Sequence, residues 1–97
     1  MEGIRLSPDG KLIPLKNMNH GDYAQRQGTD IEGLWKAGYF RITFYGDKLY
    51  AHNEFNVDLN YRQKSELINY AIESGFTHVV VDMGHDERVI WSAFDQV

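Results

Sequence analysis

Between Asn60 and Gly75 the residues repeat at helical spacing. Tyr61, Lys64, Leu67, Ile68, Ala71 and Ile72 share one side, and Arg62, Gln63, Glu66, Asn69, Tyr70 and Glu73 share the other. Asn60 followed three residues later by Gln63 is a reciprocal capping pair. Gly75 offers the left-handed stop, with Phe76 folding back onto the last turn. The run from Thr77 to Met83 is rich in β-branched residues, Gly84-His85-Asp86-Glu87 supplies a turn, and Arg88 to Phe94 returns as a strand. A register with Met83 opposite Arg88 sets Val81 against Ile90 and Val80 against Trp91. Both faces of that hairpin then carry apolar side chains, which predicts a central place in a sheet with the helix over one face.

Upstream, Phe40, Ile42 and Phe44 alternate with Tyr39, Arg41, Thr43 and Tyr45. Gly46-Asp47 reads as a two-residue loop, so Phe44 faces Leu49 and Ile42 faces Ala51 on the core side. The opposite side gathers Arg41, Thr43, Tyr45, Tyr50 and His52, the polar-aromatic face of a sheet wet on one side. Ser7-Pro8-Asp9-Gly10 folds Ile4-Arg5-Leu6 against Lys11-Leu12-Ile13, and Pro14 marks an edge or an end. From Lys16 to Gly33 the pattern is weakest. Asn19 or Asp22 would cap a short helix running through Tyr23 to Gln27 and stopping at Gly28, Thr29-Asp30 would form a loop or second cap, and Ile31, Leu34 and Trp35 would tuck inward.

The expected architecture is one α+β domain over 1–97. It holds an antiparallel β-sheet of four to six strands built from hairpins, one long α-helix packed across one face, and a short helix. Composition agrees: 97 residues, 42% hydrophobic and 25% charged, suit one globular core. The net charge of −4, with basic residues scattered, argues against a nucleic-acid binder. Absence of Cys removes thiolate metal sites and disulfides. No apolar run reaches transmembrane length and the N-terminus lacks a secretion pattern, so a soluble protein of the cytoplasm with no membrane partner is expected.

Candidate chemistry is sparse. Asp82, His85, Asp86 and Glu87 crowd one turn, but successive turn residues diverge and match no metal motif, so they are read as turn formers and no metal is expected. His20-Gly21-Asp22-Tyr23 places an imidazole beside a carboxylate, the pair a general base and its orienting partner would use. Ser7, Ser65, Ser74 and Ser92 all lack the glycine-flanked elbow of a nucleophile. No phosphate loop or dinucleotide fingerprint implies a cofactor. The row Arg41, Tyr45, Tyr50 and His52, joined by Tyr70 in the acidic stripe of the long helix, is the partner-binding candidate, because Tyr and Arg are enriched where proteins touch. Stacking of RNA bases on that row lacks the accompanying signature, and acidic mimicry of nucleic acid lacks rows of carboxylates.

Ser7-Pro8-Asp9-Gly10 with Ile13-Pro14, His20-Gly21-Asp22-Tyr23-Ala24, Gly38-Tyr39-Phe40-Arg41-Ile42, and Gln63 through Gly75 followed by Val79-Val80-Val81-Asp82 together resemble small uncharacterised domains of tailed bacteriophages and prophages. That resemblance implies a phage source, hence host cytoplasm, and no mechanism. The leading functional expectation is a non-catalytic interaction protein, a phage accessory factor that binds a host or phage protein, with homodimers formed through a hairpin edge as a further option. The alternative is a small enzyme or ligand-binding domain centred on His20 and Asp22, meeting His52 or Asp82 in a pocket.

Overall fold

A computed structural model describes residues 3–55 and 57–95, the side chain of Asp95 excepted. The elements in chain order are β1 (Ile4–Leu6), β2 (Leu12–Pro14), α1 (His20–Arg26), α2 (Ile31–Ala37), β3 (Phe40–Tyr45), β4 (Lys48–His52), α3 (Tyr61–Ser74), β5 (His78–Asp82) and β6 (Glu87–Ser92). The strands form one six-stranded sheet in the order β2-β1-β3-β4-β5-β6. The α+β class and the three hairpins match the sequence pattern. The all-antiparallel expectation is corrected at one pair, because β4 and β5 run parallel. The 14-residue α3 spans about 21 Å at 1.5 Å per residue, enough to carry the chain back along a strand and start β5 in the same direction as β4.

Asn60 accepts from the Gln63 N–H at 2.9 Å while the Gln63 side chain accepts from the Asn60 N–H at 3.0 Å. Gly75 closes α3 with φ at 82°, and the Phe76 N–H donates to the Ala71 carbonyl at 2.9 Å. The buried stripe of α3 is Gln63, Leu67 and Ala71, with Ile68 half-buried beside it. Ile72 is 57% exposed and Tyr61 86% exposed, contrary to the expected inward side. The helix is turned toward Gln63 because its amide is bonded on both ends. Nε2 donates to the carbonyls of Ser7 at 3.0 Å and Gly38 at 2.9 Å. Tyr70 rolls inward with it, joining Phe44 and Phe76 in a stack whose centroids lie 5.2 to 6.4 Å apart.

Under α3 lie Leu6, Phe40, Ile42, Leu49, Ala51, Val79 and Val81, the first face of the sheet. In the last hairpin the register differs from expectation: Asp82 faces Glu87, Val81 faces Arg88, Val80 faces Val89, and an irregularity precedes the Val79–Trp91 pair. The turn is tied by the Met83 N–H to the Asp86 carbonyl at 2.9 Å, which shifts the pairing, and the extra residue moves it back only part of the way, to Val79–Trp91 and His78–Ser92. Ile90 and Trp91 therefore both pack on the first core.

The segment with the weakest pattern folds into two short helices. Asn19 caps α1, accepting from the Asp22 N–H at 2.8 Å, and Asp30 caps α2, accepting from the Gly33 N–H at 2.7 Å. The expectation held one short helix here. Ile31 is exposed where burial was expected, while Leu34 and Trp35 are buried. Leu15, Tyr23, Ala24 and Leu34 form a second small core, and α2 lays Trp35 on the second face of the sheet.

The rotation of α3 gives a direct test. In urea titrations Leu67→Ala should lower the unfolding free energy by about 2–5 kcal/mol, whereas Ile72→Ala should change it by about 0.5 kcal/mol or less. Gln63→Leu leaves the Gly38 carbonyl and Asn60 N–H without those partners, and a loss of about 2 kcal/mol is expected.

Candidate functional site

Strand register lines five ionisable residues in one transverse row. Arg5 faces Arg41, Arg41 faces His52, His52 faces Asp82, and Asp82 faces Glu87. Alternation places all five on the second face, opposite α3. The row is polarised, cationic under the helix pair and anionic toward the β6 edge.

Trp35 divides it. Its ring lies 4.9 Å from the Arg5 guanidinium carbon and meets the His52 ring edge-on, 5.8 Å away at 88°. Tyr23 of α1 covers Arg5 at 5.9 Å. Buried Asn53, at the end of β4, fixes the height of this roof, its side-chain amide donating to the carbonyls of Trp35 at 2.9 Å and Tyr39 at 3.0 Å. Its own oxygen accepts from the Phe55 N–H at 2.7 Å.

Arg5 is fully buried, and Nε, Nη1 and Nη2 all lack a hydrogen-bond partner. No ion pair among the described residues reaches Arg5 or Arg41. Each desolvated cation–π contact contributes up to about 2 kcal/mol, whereas removing an unpaired ion from water costs several. The aromatic roof therefore only partly offsets the burial of this charge, and a second arginine directly across the ladder adds repulsion. Burial foremost, then Arg41, lowers the Arg5 pKa to about 10. Arg5 remains a cation at neutral pH.

His20 stands against the same end. Its ring is seated on Gly3, where a Cβ would come within 3.2 Å of Nε2. His20 Nδ1 and Arg41 Nε are buried without partners. Desolvation first, then the charges of Arg5 and Arg41, depress the His20 pKa to about 4. His20 and Arg41 share a pocket of about 350 Å³ with Gly3, Ile4, Ile42, Thr43 and Phe44.

At the open end, His52 Nδ1 lies 3.2 Å from Asp82 Oδ2, and Nε2 lies 3.6 Å from Glu54 Oε1. A shallow groove of about 340 Å³ runs over Arg41, Thr43, Tyr45, Tyr50, His52, Asp82 and Glu87.

Of the residues singled out from sequence, Arg41, Tyr50 and His52 share this groove, with Tyr45 beside them and 77% exposed. Tyr70 is on the other side of the sheet, half-buried in the Phe44–Phe76 stack. His20 and Asp22 are not brought together, because residues two apart on a helix diverge, and Asp22 is exposed. Nor does His20 meet His52 or Asp82, which pair with each other. Asp82 Oδ1 also accepts from the Gly84 N–H at 2.8 Å, and no group of three or more metal-ligating side chains forms among the described residues. Arg5 and Trp35 escaped sequence reasoning. A lone arginine between Ile4 and Leu6 normally faces water, and only the roof over it makes it part of a site.

Comparison with family models, curated proteins and solved structures gave no match.

The depressed His20 fixes a pH dependence. The unfolded chain takes up a proton near pH 6.5, but the folded chain does so only near pH 4. Between these values the unfolded state binds more protons, so stability should fall as pH drops through that window. The difference in unfolding free energy between pH 7 and pH 4.5, measured by urea titration, should be smaller in His20→Gln than in wild type.

Proposed function

We propose that this chain is a non-catalytic interaction domain whose contact surface is the open half of the second face. The observation that supports the reading is the groove in which Arg41, Tyr45, Tyr50, His52, Asp82 and Glu87 converge. It brings aromatic area and both signs of charge to one partly exposed strip. Such a strip suits a protein segment with complementary charges, since Tyr and Arg combine contact area with directional bonds. The His52–Asp82 pair has no hydroxyl or thiol nucleophile within hydrogen-bond distance of the imidazole among the described residues, so binding is favoured over covalent chemistry. A host or phage protein is the partner class this reading carries.

A second reading, a small-ligand pocket at His20, is favoured by a separate observation. His20 and Arg41, each with one unpartnered nitrogen, line the pocket beside Gly3.

The contact surface is tested by pull-down from a bacterial lysate with wild type and a Tyr50→Ala, Glu87→Arg double variant, both checked for folding by circular dichroism. Captured proteins should be depleted about tenfold with the variant, the size of effect that losing a contact hot spot produces. Identical capture by the two would contradict the surface.

A further inference from the structure

We propose that the pocket at the start of β1 binds a small organic oxyanion, a phosphate monoester or a carboxylate, with its charged head between Arg41 and His20 and its body at the strand edge beside Gly3. The proposal rests on the small-ligand reading of this pocket, which shares Arg41 and Thr43 with the protein-contact groove.

Three observations converge on it. The first is charge. Arg5 and Arg41 are direct cross-strand neighbours, one fully buried, and no described carboxylate pairs with either. A bound anion supplies the missing counter-charge. The second is hydrogen bonding. Arg41 and His20 both line the pocket, and behind its surface each keeps one unpartnered nitrogen, Arg41 Nε and His20 Nδ1. Oxyanions present acceptor oxygens that guanidinium and imidazole N–H groups bind strongly. The third is shape. The pocket is about 350 Å³, within the range of small-molecule sites. Its lining meets at the edge of β3, with Arg41 and Thr43 from the second face and Ile4, Ile42 and Phe44 from the first. A ligand with a charged head and an apolar or aromatic body fits both. Gly3 completes the arrangement, since its lack of a side chain lets the His20 ring sit where it does.

Bound anion would also favour the protonated form of His20, reversing the effect of the two arginines. Its ring titration is therefore a reporter that a purely structural histidine would not provide.

The test titrates the full chain with phenyl phosphate, benzoate, inorganic phosphate and neutral phenol at constant ionic strength, followed by proton–nitrogen NMR. Phenyl phosphate or benzoate should perturb the amides of Gly3, His20 and Arg41 at millimolar concentration and raise the His20 titration midpoint. The tighter of the two identifies the preferred head group. Arg41→Gln should weaken that binding at least tenfold. Should that variant fail to fold, Arg41→Lys, which keeps the charge and loses the fork, should still weaken it. Phenol binding as tightly as the anions would overturn the oxyanion assignment while leaving a ligand pocket standing. No perturbation by any of the four, or equal shifts with sodium chloride, would remove both.

Discussion

Trp35 meets Arg5 over its ring and His52 at a right angle, and those two contacts decide what half of this sheet can do. Without the indole, β1 would present an ordinary arginine to water. With it, a guanidinium is sealed between aromatic rings beside a second arginine. The roof is placed by backbone bonds, through Asn53 reaching the Trp35 and Tyr39 carbonyls. A buried amide that donates both N–H groups and accepts through its oxygen is a rigid spacer. The distance between α2 and the sheet is therefore set independently of the charge it covers.

Gln63 plays the same part on the other face. It ties α3 to the β1–β2 turn through Ser7 and to the α2–β3 junction through Gly38. Two buried amides thus tie both helical layers to the segment that leads into β3, through the Gly38 and Tyr39 carbonyls. The apolar first core supplies the bulk of the burial, while these amides fix orientation. The proposed contact surface lies on the face where polar residues were left in one continuous row.

Much of this was legible in the chain. The Asn60–Gln63 cap, the Gly75 stop and the Phe44–Leu49 register follow from local chemistry that tertiary packing did not override. The second face with Arg41, Tyr50 and His52 follows from strand alternation alone. What was hidden is non-local. The rotation of α3 depends on Gln63 finding carbonyls from residues 7 and 38, which no helical period encodes. The parallel β4–β5 pair depends on how far α3 travels before β5 begins. The Asp30 cap was visible as an option, but seven residues from Ile31 to Ala37 carry too little periodicity to announce a helix. The cationic end of the row needed β1 beside β3 and α2 above both, so neither Arg5 nor its pairing with Arg41 was readable before strand order was known.

The account depends most on a fully buried Arg5 held under Trp35 and Tyr23. Nitrogen-detected NMR of arginine side chains measures this directly, through the exchange rate and chemical shift of the Arg5 Nε–H. Exchange far slower than that of exposed Arg62, with a proton shift displaced by the ring currents of Trp35, is the expected result. An Arg5 Nε–H that exchanges as fast as that of Arg62, at an ordinary shift, would contradict it.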